Sequence, residues 1–439
     1  MRKALFTLLI IGGKFASAQD SILQKDKKLS LHFQVTAIPE YHFDIKSPYA
    51  GDNSLLASEP VKTSVTSTIF AAYKPFKNTY FVFNPEMAGG QGLSKTLGVA
   101  GFPNGEVYRV GDPAPRIFVA RLYAEQRFPL SSKKEQVDDD QNQIKEKTNK
   151  DYISIIGGKF SLLDFFDGSE VSHDPRTQFL NWSLMANGAW DYPANTRGYN
   201  FGGIIQAFVN NWAFRYALTA MPKEANEANM EFRLGKASGM VVEVEKDNIL
   251  KKDEKHYINA HAGVFLNYAR MGNYETAVKD AAPGVAPDVT QSREYGRTKY
   301  GYYGGVDVNS GFFHYMLKAS WSDGKNETWA FTEIDRSISM GIRTEGSLWK
   351  RNKDNAGIAY VNNGLSSEHK NYLAAGGYGF IIGDGQLNYG REQIIEAYYS
   401  CNIWKPIFLS PDYQFVLHPA YNKDRGPVNI MSLRLHVEF

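Results

Sequence analysis

Asp164 and Asp167, in the run Asp164-Phe165-Phe166-Asp167-Gly168, come nearest in this chain to a catalytic pair. Two carboxylates so placed can act as acid and base in glycoside hydrolysis. Beside a glycine turn, however, the same residues commonly bond their own loop. There is no His-Glu-x-x-His, no Gly-x-Ser-x-Gly, no phosphate-binding glycine loop and no two-His metal spacing, and the nine His are scattered. This pattern points to no enzyme, no cofactor and no metal site.

Two blocks carry a different chemistry. One runs from Gly89 through Gly98 to Gly111 and contains Glu106, Tyr108 and Arg109; the other runs from Phe160 through Asp164, Asp167, His173, Asp174, Arg176, Trp182, Trp190 and Asp191 to Arg197. Arg and carboxylate groups beside aromatic rings suit a sugar, whose hydroxyls bond charged groups while its C–H faces lie on rings. The same charges could instead pair with one another and hold an inward loop.

The elements that must position these blocks are strands. Met431, Leu433, Leu435, Val437 and Phe439 alternate with Ser432, Arg434, His436 and Glu438 to the end of the sequence. A period of two means one apolar and one polar face. Leu29–Val35, Ile117–Arg127, Phe208–Ala220, Ile258–Tyr268 and Phe313–Trp321 alternate similarly. About sixteen such segments, separated by turn residues, predict an all-β transmembrane antiparallel barrel. On alternation alone Leu435→Arg is costly and Arg434→Leu mild. Met230–Val244 reads as a hairpin, and Asp323-Gly324 and Asp384-Gly385 as tight strand reversals.

Two stretches depart from alternation. Ser131–Lys150, rich in Asp, Glu, Lys and Gln, reads as a charged, solvated surface loop. Asp174–Gly188 reads as a helix, with Asp174 as N-cap, Pro175 in the first turn, Gly188 as stop, and Phe179, Trp182 and Met185 on one face. In a barrel its place is the lumen, where it narrows the pore.

The N-terminus carries an export signal: Arg2 and Lys3, the apolar run Ala4–Gly13, then Ala16-Ser17-Ala18. Cleavage after Ala18 leaves residues 19–28 as a short extension before one barrel domain, 19–439. A terminal Phe439 strand resembles the signal by which outer-membrane barrels are read by the barrel-assembly machinery. Aromatics at 14% fit interfacial girdles and a sugar path, and a net charge of +2 gives no reason to invoke nucleic acid. After the signal no apolar run is long enough for a membrane helix. Cys401, the single cysteine, excludes an internal disulfide.

These blocks resemble the carbohydrate-selective porin (OprB-type) family. The matching stretches are Gly98–Gly111, Gly158–Phe160 with Asp164–Gly168, Ser172–Phe179, Gly188–Pro193, Thr196–Tyr199, Glu396–Tyr399, Pro411–Gln414 and Asn422–Val428. The resemblance implies a 16-stranded porin of a Gram-negative outer membrane, passing small carbohydrates passively through an eyelet of Arg, acidic and aromatic side chains. Glu106, Arg109, Asp164, Arg176, Trp182, Trp190 and Arg197 fall in its motifs as candidates for that eyelet. Two other readings stand beside it: an outer-membrane barrel enzyme hydrolysing lipid or glycan, and a periplasmic glycan-binding protein.

Overall fold

The computed structural model describes residues 28–107, 113–138 and 140–439. The export signal and Arg109 lie outside the described residues. The long strands are β1 (Leu29–His42), β2 (Lys62–Phe76), β3 (Thr79–Gly90), β4 (Arg116–Pro129), β5 (Tyr152–Phe160), β6 (Asn200–Val209), β7 (Trp212–Pro222) and β8 (Ser238–Lys246). They continue as β9 (His256–Met271), β10 (Glu294–Ser310), β11 (Phe313–Ser322), β12 (Arg336–Glu345), β13 (Asn355–Gly364), β14 (Glu392–Trp404), β15 (Ile407–Leu417) and β16 (Val428–Glu438). Each pairs antiparallel with its sequence neighbours, and β1 pairs with β16, so sixteen strands close a barrel without free edges. At the seam Phe439 N–H donates to Phe33 across 2.8 Å and Phe33 N–H returns a bond across 3.1 Å.

The alternation has the expected sense, turned inside out relative to a water-soluble sandwich. Along β16, Met431 and Leu433 are 52% and 42% exposed while Ser432, Arg434 and His436 are buried. Along β11, His314, Lys318 and Ser320 are buried, and Phe313, Tyr315 and Leu317 face outward. An apolar exterior and a hydrogen-bonded polar interior are what hydrocarbon requires of a spanning sheet.

One end of the barrel has tight reversals at Lys77-Asn78, Asn210-Asn211, Gly311-Phe312 and Lys405-Pro406. Asn78, Asn210, Asn211 and Gly311 take positive φ, which short hairpin turns require and Asn and Gly tolerate. The other end carries the long connections 43–61, 91–115, 161–199, 223–237, 272–293, 323–335, 365–391 and 418–427. Asp323-Gly324 and Asp384-Gly385 belong to these and are not strand reversals. The expected Met230–Val244 hairpin is also replaced: β8 pairs with β7, and Met230–Glu231 is a two-residue bridge to the end of β7. Ser238 and Gly239 fall directly opposite Ala220 and Thr219, so the longer ladder takes the apolar residues that the local reading assigned to a short one.

The molecule's largest apolar cluster lies inside the barrel. Leu55, Val99, Phe102, Phe166, Phe179, Leu184, Trp190 and Ile381 from the long connections pack there against Ile156, Phe265 and Ile394 of the wall. Segment 131–150 is not a free surface loop. Lys134–Val137 pairs with Glu146–Asn149 in a small hairpin at the short-turn end, and Ile144 packs on Phe70, Ala72 and Val82 of the inner wall. Its composition resembles that of a solvated loop, but charges such as that of Glu146 are met by the wall, here by Arg127.

Candidate functional site

The lumen is narrowed by 91–107 and 161–199, and carboxylates fix both. Glu396 on β14 accepts the N–H groups of Leu180 (2.5 Å) and Asn181 (3.0 Å). Glu392, four residues back on the same face of the strand, accepts those of Ala100 (2.9 Å) and Gly101 (2.7 Å). In the loop, Asp191 accepts Trp329 and Ala330 N–H at 2.8 and 2.9 Å. Each of these side chains satisfies two backbone donors that the inward segments would otherwise bury unpaired.

These clamps explain why the helix expected over Asp174–Gly188 is shorter. Asp174 starts one turn, accepting Arg176 N–H at 3.0 Å and Gln178 N–H on its carbonyl at 2.8 Å. The turn stops at Phe179–Asn181, where Glu396 takes the N–H groups that a continuing helix would use. A second start, with Asn181 accepting Ser183 N–H at 2.9 Å, yields only Trp182–Met185.

Arg176 projects from the first turn into a cluster of polar groups. Its Nε donates to Glu106 (2.8 Å) and its Nη2 to Glu86 on β3 (3.2 Å). Tyr199 donates to Glu86 (3.1 Å), and Thr66 donates to Glu106. Next along the wall Arg121 on β4 grips Asp164 through two bonds of 2.6 and 2.7 Å and donates to Asn84 across 2.7 Å. Its guanidinium lies 5.5 Å from the Tyr199 ring centre, and that of Arg197 lies 4.2 Å from the Phe118 ring centre. Arg176, Arg197 and Phe118 remain partly open and Asp164 exposed.

Of the residues expected in the eyelet, the structure therefore joins Glu106 with Arg176 directly and sets Asp164 and Arg197 along the same strip of wall. Trp182 and Trp190 are elsewhere. Trp190 is 0% exposed and stacks on Tyr303 at 4.5 Å; Trp182 is 7% exposed, donates to Asn104 O at 2.8 Å and stacks on Phe331. Both rings are spent on loop packing. Glu86 and Arg121 were missed, although their parity on β3 and β4 places them on the inner face. Among the described residues no group of three or more His, Cys, Asp or Glu could hold a metal ion.

Closed on itself, apolar outside, and obstructed midway by its own loops, this barrel is an outer-membrane porin. The chain belongs to the carbohydrate-selective porin, OprB family, whose profile matches residues 72–439. Among solved structures it is similar to Pseudomonas putida OprB at high pH, with 12% identity, 97% of each chain covered and a TM-score of 0.71. It is also similar to the outer-membrane channel DcaP of Acinetobacter baumannii, with 10% identity, 95% of this chain and 99% of that one covered, and a TM-score of 0.50. These likenesses concern the fold. No curated protein sequence matches the chain.

Proposed function

We propose that the protein lets small sugars diffuse passively across the outer membrane, selecting them at the strip formed by Glu106, Arg176, Glu86, Tyr199, Arg121 and Asp164. The observation that carries this reading is charge compensation: Arg176 sits between two carboxylates and Arg121 is paired in bidentate fashion. Such a strip offers many donors and acceptors without a strong net field, which favours neutral polyhydroxylated solutes over ions. Export through the 1–18 signal and assembly through the Phe439 strand belong to the same reading. Conductance in a planar bilayer tests it. Monosaccharides should reduce ion current in a saturable way, and a current indifferent to sugars would overturn the proposal.

A second reading, a barrel hydrolase, draws on one contact: Ser30 Oγ lies 2.9 Å from His32 Nε2 on β1. Labelling of Ser30 by a serine-reactive phosphonate would favour it.

A further inference from the structure

The hairpin at the short-turn end lies along the inner wall from β4 to the β1/β16 seam. It leaves the wall between β4 and β5, where Lys150 N–H donates to Lys133 O at 2.9 Å. Its tip meets the β1/β16 seam, four strands along the wall: Gln141 donates to Phe439 O across 3.2 Å, and Ser30 donates to Gln143 O across 3.3 Å. Glu146 ties it down, accepting from Tyr80 OH at 2.7 Å, Arg127 at 3.0 Å and Lys74. Short turns face the periplasm in outer-membrane barrels, so the hairpin lies beneath the constriction.

Between hairpin and constriction is a cavity of about 430 Å³. Asp164 and Phe165 of the inward loop bound it on one side, Asn142 and Gln143 of the hairpin on the other, with Tyr123 and Tyr152 on the wall. Small-molecule sites span ~300–1,000 Å³, so this one suits a single ring and not a chain of rings. Both of its guanidinium groups are paired: Arg127 bonds Glu125 at 2.6 Å as well as Glu146, and Arg121 bonds Asp164, while the lining carboxylate Glu135 of the hairpin is exposed. An anion would meet a carboxylate beside each of these guanidinium groups, and a cation would meet a guanidinium beside Asp164, Glu125 and Glu146. Phenol, amide and paired charged groups remain as partners for hydroxyls.

We infer that the 134–149 hairpin turns the space below the constriction into a second binding chamber, holding one neutral, polyhydroxylated molecule on the periplasmic side of the eyelet. This rests on the sugar reading of the eyelet and extends it: solute would pass through two sites in series. The hairpin, not the barrel, creates the second.

The test is current noise in a planar bilayer with glucose on both sides. Wild-type protein should show two binding relaxations. Replacing 134–149 by Asn-Gly keeps the two-residue reversal implied by the Lys133–Lys150 bond, and this variant should lose one relaxation, keep the other and conduct more. Tyr152→Ala, which leaves hairpin and eyelet in place, should weaken the same relaxation, and it decides the matter if the shortened chain does not yield a heat-modifiable barrel. A single relaxation in wild type, or two that survive in every folded variant, overturns the chamber and leaves the eyelet reading intact. Absence of any glucose response in wild type overturns both.

Discussion

Arg176 donates to Glu106 across 2.8 Å, joining the two inward segments by one ion pair that is mostly shielded but not sealed from the lumen. A third group, Glu86, lies on the barrel wall at 3.2 Å, so the guanidinium is shared between two loops and a strand.

Removing Arg176 leaves two carboxylates facing each other. Arg176→Ala should shift selectivity toward cations, and Glu106→Gln toward anions. Reversal potentials across a KCl gradient read both signs. Unchanged potentials in both variants would place this pair off the ion path.

Arg434 has a role that alternation alone does not disclose. It is buried on β16 and donates to Pro175 O at 2.9 Å and Gln178 O at 2.5 Å, behind the Arg176 turn. Arg434→Leu should strand those acceptors, at about 1–3 kcal/mol each, and widen the pore. Leu433→Arg, on the outer face, should instead cost about 2–4 kcal/mol of barrel stability near the midplane while leaving single-channel conductance unchanged. Conductance and urea unfolding in detergent separate the two outcomes.

Asp167 anchors the loop from within. It accepts Asn187 N–H at 2.6 Å and His261 at 2.9 Å, with Lys318 at 3.7 Å. Burial opposes its charge, yet Lys318 and His261 hold its carboxyl well below the usual carboxylate range. A depressed folded value means that the stabilisation is complete above the unfolded pKa of about 3.9 and fades only as pH falls toward the folded one. Asp167→Asn should therefore cost about 3–5 kcal/mol at pH 7 and no less at pH 5. A stability gap already closing between those two values would contradict this.

Trp182 and Trp190 are packing residues of the inward loop. Truncating either to Ala should cost about 3–5 kcal/mol and give a noisier, wider channel, not a pore of unchanged size with weaker sugar block. A stable variant with wild-type conductance and reduced block would restore a direct role in sugar stacking.

How far the sequence discloses this molecule depends on the range of the forces involved. Strand parity is local, so the Leu433/Arg434 alternation and the closed barrel were legible. The helix over Asp174–Gly188 was not, because Glu396, more than two hundred residues away, takes the amides of Leu180 and Asn181. The burial of the two tryptophan rings is not legible locally, because their partners, Tyr303 and Phe331, lie on other segments. Glu146 read as solvated because nothing in residues 131–150 announces Arg127 or Tyr80.

The clamps at Glu392 and Glu396 grip main-chain N–H groups, which every residue except proline supplies. Hydrogen bonding at Ala100 and Leu180 therefore makes no demand on side-chain identity, whereas each wall carboxylate is fixed in its place. Mutational drift can rewrite the solute-facing groups of the inward segments while their path stays pinned. The wall carries the memory of the loop's shape, and a new permeant can be accommodated without redesigning the barrel.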